Sequence, residues 1–160
     1  GAEDCLGKYH LCHHSQITLK EGILMTQCEL PKEELVRRKE LSDNTRKMIY
    51  SLLDVAAEDE TSLMTTYRDF YLQISFSELH PLMVFYLARP LDGEKAMLAD
   101  RSNEMNLRSV LGSHSVNENF SCYNYRATHW LDAQMTKTRF FEILDRCVDE
   151  AVRGYYQLAH

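Results

Sequence analysis

The stretch Phe70-Tyr71-Leu72-Gln73-Ile74-Ser75-Phe76-Ser77 alternates strictly, with Phe70, Leu72, Ile74 and Phe76 on one side and Tyr71, Gln73, Ser75 and Ser77 on the other. Period two belongs to a strand with one dry face. Leu63, Tyr67, Phe70, Tyr71 and Ile74 also fit helical spacings, so a helix across this region is the competing reading. Beyond the turn-like Glu78-Leu79-His80-Pro81 lies Leu82-Met83-Val84-Phe85-Tyr86-Leu87-Ala88, apolar on both faces and rich in strand-favouring residues. The two segments together predict an antiparallel hairpin.

On either side of this hairpin the period returns to that of a helix. Upstream, Met48, Ile49, Leu52, Leu53, Val55 and Ala56 recur at helical spacing over Thr45 to Glu58, with Asp43 or Asn44 able to cap. Downstream, Asp92 to Leu111 predicts a helix that starts at Asp92 or Gly93 and stops at Gly112. Ser113 to Val116, the polar turn Asn117-Glu118-Asn119 and Phe120 to Leu131 then predict a second hairpin. Thr136 or Thr138 can cap the last helix. There Phe140, Leu144, Cys147, Val148, Ala151 and Tyr155 form one stripe, and Glu142, Asp145, Arg146, Asp149, Glu150 and Arg153 form the opposite face. The order predicts an α+β fold: an antiparallel sheet of two hairpins packed by helices, with a long C-terminal amphipathic helix. No repeat or Pro/Gly/Ser-rich linker divides the chain. One domain over residues 1–160 is expected, with 1–40 an extension on a core of 41–160.

Asp and Glu outnumber Lys and Arg by 24 to 18, for a net charge of −6. That sign opposes a partner held by phosphate neutralisation, so neither nucleic acid nor an anionic membrane is expected. The longest uncharged apolar run, Pro81 to Ala88, is far below the roughly 20 residues of a membrane-spanning helix. Five cysteines leave at least one unpaired within the chain, and Cys122 and Cys147 fall in regular elements where free thiols pack as small hydrophobes. This favours the cytoplasm, with an exported, oxidised protein as the alternative.

The chemistry-bearing residues form no complete signature. Cys5, His10, Cys12, His13, His14 and Cys28 include zinc-ligand types, but without a Cys-x-x-Cys pair, and neither a metal nor another cofactor is expected. Cys122, His129 and Asp132 would suit nucleophilic chemistry, yet a separation of seven puts Cys122 and His129 on opposite faces of a strand. Glu58-Asp59-Glu60 at a helix end, and Asp145, Asp149 and Glu150 on a polar helix side, read as solvated carboxylates. The run Arg37-Arg38-Lys39 is balanced by Glu33, Glu34 and Glu40, and His114 has no partner discernible from sequence. Gly-rich phosphate loops, Gly-x-Ser-x-Gly elbows and His-Glu-x-x-His motifs are absent, which argues against an enzyme.

From about residue 44 to residue 158 the chain resembles the YbjN-like family and, more distantly, the class I type III secretion chaperones. The resemblance is carried by the hairpin Tyr71 to Ala88, Asn103-Glu104-Met105-Asn106, Gly112 to Val116, Tyr125 to Leu131, and Met135-Thr136-Lys137-Thr138-Arg139-Phe140-Phe141. Residues 1 to 40 depart from it, being longer and richer in Cys and His. The resemblance implies a small acidic homodimer that holds an extended segment of another protein without chemistry or cofactor. The residues expected to meet that partner are Met83, Phe85 and Leu87, or Leu82, Val84 and Tyr86, whichever set the helices leave open. The alternative function is a disulfide-containing sensor or accessory domain of the bacterial envelope.

Overall fold

The computed structural model describes residues 30–77, 79–117 and 119–160. The first described helix, α1 (Lys32–Leu52), begins behind Pro31, well upstream of the expected Thr45. The charged run itself is helical, because its charges pair one turn apart: Glu34 meets Arg37 and Arg38 at 2.7 Å, and Lys39 meets Asp43 at 2.9 Å. Asp43 and Asn44 are therefore interior helix residues and not caps. The helix stops where Leu53 turns extended, so Val55 and Ala56 leave the helical stripe.

A short strand β1 (Ala57–Glu58) and a strand β2 (Ser62–Tyr67) follow, both additional to the two expected hairpins. Glu58-Asp59-Glu60 thus belongs to a strand and turn, where the Asp59 carboxylate accepts from the amides of Thr61 and Ser62 at 2.9 and 2.8 Å. Strand β2 pairs with β3 (Phe70–Phe76) through Arg68 and Asp69, both at positive φ, 46° and 69°. Two central residues in this region form the tight hairpin turn whose twist matches the strands. The region is a hairpin and not the competing helix.

Strand β4 (Leu82–Pro90) pairs with β3 on one side and with β6 (Cys122–Trp130) on the other, and β5 (Gly112–Asn117) closes the far edge. All pairings are antiparallel, in the order β1-β2-β3-β4-β6-β5. The helix between β4 and β5, α2 (Lys95–Asn106), is shorter than expected at both ends. Its cap is the Glu94 carboxylate, which accepts from the amides of Ala96 and Met97. Gly112 opens β5 and does not end a helix. The last helix, α3 (Lys137–Ala159), is capped by Thr136, whose hydroxyl accepts from the Arg139 amide at 3.2 Å.

Ile49 of α1, Leu98 of α2, and Phe140, Leu144 and Val148 of α3 join one core with Leu72, Ile74 and Phe85 of the sheet. The described residues form two layers, with the three described helices on one sheet face. Each fully buried aliphatic or aromatic side chain contributes about 1.5–3 kcal/mol by leaving water, so the period-two stretch holds the fold from its centre. Among the described residues no helix is long and apolar enough to cross a membrane.

Candidate functional site

Because β4 is apolar on both sides, its register decides which residues can meet a partner. Met83, Phe85 and Leu87 are completely buried under the helices. The Phe85 ring lies 6.0 Å from that of Phe140 and 5.9 Å from His129. Leu82, Val84 and Tyr86 point to the other face, which none of the described helices covers. The sequence offered the two sets as equals, and the helices close the first of them.

The face opposite the helices is mixed in character. Val84, Tyr86, Ala88 and Cys122 form a small apolar cluster with Tyr71 and Phe120. Leu82 pairs with Trp130, the chain's single tryptophan, which is 66% exposed. Arg126 lies over the Tyr86 ring with its carbon 5.7 Å from the centroid. Gln73 pairs with Tyr86, and Asn124 pairs with Ala88. Both polar residues are buried, and among the described residues Gln73 Oε1 and Asn124 Oδ1 have no hydrogen-bond partner. A cavity of about 90 Å³ opens beside Asn124, between Tyr86, Ser113, Ser115 and Arg126.

On the helix side, the corner between α3 and β5 treats its polar groups differently. The sequence placed Glu150 on the solvated side of α3, but the structure buries it. The Tyr125 hydroxyl donates to its carboxylate at 2.7 Å, and the amides of Val110, Leu111 and Gly112 donate at 3.0, 3.1 and 2.9 Å. Ser109 Oγ lies 3.0 Å from the same carboxylate and also bonds the Gly112 carbonyl. Burial alone would raise the Glu150 pKa, but the Tyr125 hydroxyl and the three amides outweigh it and hold it at about 2. Burial, then the bond to Glu150, pushes the Tyr125 phenol well above its ordinary range. Asp145 and Asp149 stay half-exposed, where Arg68 lies 3.8 and 3.0 Å away, so the solvated reading holds for them.

His114, without a discernible partner in the sequence, has several here. Its Nδ1 lies 2.6 Å from the Tyr123 hydroxyl and its Nε2 lies 3.3 Å from Ser109 Oγ. Its backbone is clamped by Asn106, which accepts from the His114 amide at 2.6 Å and donates to its carbonyl at 2.8 Å. Burial lowers the imidazole pKa against the opposing pull of Glu150. The ring fits because residue 154 is glycine: a Cβ there would sit 2.5 Å from Nδ1 and 2.8 Å from the Tyr123 hydroxyl. A glycine inside the clearest helix of the chain was the sequence signal for this close approach.

Cys122 and His129 lie on opposite sheet faces, as their spacing requires, and Asp132 pairs with Arg139 at 3.0 Å. His129 Nε2 meets instead Cys147 Sγ at 3.5 Å. Burial pushes this thiol up to about 11, and burial, then Arg139, lowers the imidazole. At neutral pH the pair is an uncharged thiol and imidazole, the reverse of an activated nucleophile. Among the described residues no group of three His, Cys, Asp or Glu is arranged to hold a metal. Cys5, His10, Cys12, His13, His14 and Cys28 lie outside the described residues.

No family model matches the chain, and no curated protein matches it. Solved structures do. YbjN from E. coli, a candidate transcription regulator, superposes with a TM-score of 0.56 at 11% identity, over 72% of this chain and 88% of that one. The HopA1–SchA chaperone–effector complex gives 0.50 at 11% identity, over 80% of this chain and 98% of its counterpart. The Yersinia pestis type III secretion chaperone SycH, solved with a fragment of YscM2, gives 0.49 at 13% identity, over 72% and 98%. The chain shares the fold of YbjN and the type III secretion chaperones.

Proposed function

We propose that this chain is a non-enzymatic, chaperone-like protein that holds an extended segment of another polypeptide on the sheet face opposite its helices. The carrying observation is the pair of orphaned acceptors, Gln73 Oε1 and Asn124 Oδ1, buried on the same face as Leu82, Val84 and, toward its far end, the exposed Trp130. A buried acceptor without a donor costs about 1–3 kcal/mol. An extended polypeptide supplies amide donors at regular spacing along its length, and apolar side chains for the Trp130 end. That a chaperone of this fold has been solved with its effector supports the choice of a protein partner. The neutral Cys147–His129 pair supports the non-enzymatic reading. The proposal includes a cytoplasmic homodimer. Leu107, 87% exposed after α2, offers apolar surface for the second copy.

Trp130 makes the proposal testable without a label. Titration with a reduced, permanently unfolded model polypeptide should shift its emission to the blue and saturate, and Val84→Asp should abolish the shift while the far-ultraviolet spectrum stays intact. A folded protein whose emission does not respond to any extended polypeptide at tens of micromolar contradicts it. Light scattering at the same concentrations should give twice the chain mass.

A further inference from the structure

The chain holds eleven arginines. Arg37, Arg38, Arg46, Arg68, Arg139 and Arg146 each meet a carboxylate within 4 Å. Arg89 and Arg126 lie over the rings of Tyr155 and Tyr86. Among the described residues, the side chains of the remaining three, Arg101, Arg108 and Arg153, have no ion pair, hydrogen bond or ring contact. All three line the same cavity, about 330 Å³, between α2, the connection to β5 and α3.

The carboxylates in that cavity are Glu104 and Glu150, and Glu150 is already saturated by the Tyr125 hydroxyl and three amides. The guanidiniums therefore outnumber the carboxylates around the cavity, on a protein whose overall charge is −6. Such local reversal of sign concentrates anions. Three planar forks can engage more acceptor oxygens than one carboxylate carries, whereas a diphosphate offers enough for all of them. The volume exceeds what inorganic phosphate fills and lies at the lower end for small-molecule sites, and Met105 and Val110 give an organic body apolar wall to rest on.

We propose that this cavity binds a small organic diphosphate, with Arg101, Arg108 and Arg153 engaging its phosphate oxygens and Met105 and Val110 flanking its organic part. The site is separate from the sheet face of the proposed function, on the opposite side of the sheet, and does not depend on that reading.

Calorimetric titration with pyrophosphate, a nucleoside diphosphate and citrate tests it. The nucleoside diphosphate should bind saturably with a Kd below about 1 mM, more tightly than pyrophosphate, with affinity falling as salt rises. Arg108→Gln and Arg153→Gln should each weaken it by about tenfold, with thermal unfolding unchanged because all three arginines are exposed. No saturable binding up to 10 mM (about the limit of weak recognition), or affinity unchanged in both variants, would overturn the proposal. Citrate binding more tightly than either phosphate would overturn the assignment to phosphate chemistry.

Discussion

At Glu150 a buried carboxylate meets the Tyr125 hydroxyl and three backbone amides, whereas across the sheet Gln73 Oε1 and Asn124 Oδ1 are buried with no partner among the described residues. Both regions take polar atoms out of water, but only the first returns every bond it removes. A satisfied network rigidifies: Glu150 ties α3 to the Ser109–Gly112 connection, and Asn106 ties the end of α2 to β5. An unsatisfied acceptor on the face that none of the described helices covers adds nothing to folding and calls for an explanation of its own. Glu150 is accordingly a structural residue, and the Gln73–Asn124 face is the one we propose for the partner.

The contrast breaks most visibly at Glu150. Glu150→Gln removes the charge and points an amide donor at groups that already donate, and should cost about 3 kcal/mol in denaturant unfolding. Gly154→Ala comes next. Alanine is ordinarily favoured over glycine inside a helix, but here its Cβ would collide with the buried His114 ring, so a loss of about 1–3 kcal/mol is expected.

Acid then sharpens the comparison. The folded pKa of Glu150, about 2, lies below its ordinary 4.5, so the group binds its proton less readily folded than unfolded. Its contribution is complete above about pH 4.5 and disappears as pH falls toward 2. The stability gap between wild type and Glu150→Gln should close over that window in an acid titration followed by circular dichroism. The smallest effect is expected on the face opposite the described helices. Gln73→Met gives up weak bonds to Ser62 and Ser75 at 3.3 and 3.1 Å while removing an orphaned acceptor, and should change stability by less than about 1 kcal/mol.

The same division separates what the sequence made legible from what it hid. Phe70 to Phe76 and the stripe Phe140 to Ala151 were readable because alternation and helical period survive in the residues themselves. Strand β2 was not: its core-facing side is Leu63, Thr65 and Tyr67, and its turn uses Arg68 and Asp69 where an Asn-Gly pair would have announced a hairpin. Distant side chains hold that turn, Tyr67 donating to Asp145 at 2.6 Å and Arg68 to Asp149 at 3.0 Å. Glu150 looked solvated because it neighbours Asp149, and only the amides of Val110 to Gly112, some forty residues away in sequence, give it a reason to be inside. The helices choose between the faces of β4, and that choice depends on packing which neither apolar set reveals. Arg101, Arg108 and Arg153 converge for the same reason, since nothing in their spacing brings α2 beside α3.

Nuclear magnetic resonance of the chain with an unfolded model polypeptide tests the central claim most directly. The side-chain amides of Gln73 and Asn124 and the Trp130 indole should shift on binding, while the backbone amides of Ser109 to Gly112 around Glu150 remain where they are. Shifts confined to the helix side, with Gln73, Asn124 and Trp130 unmoved, would contradict the proposed assignment of the sheet face opposite the described helices to a polypeptide partner.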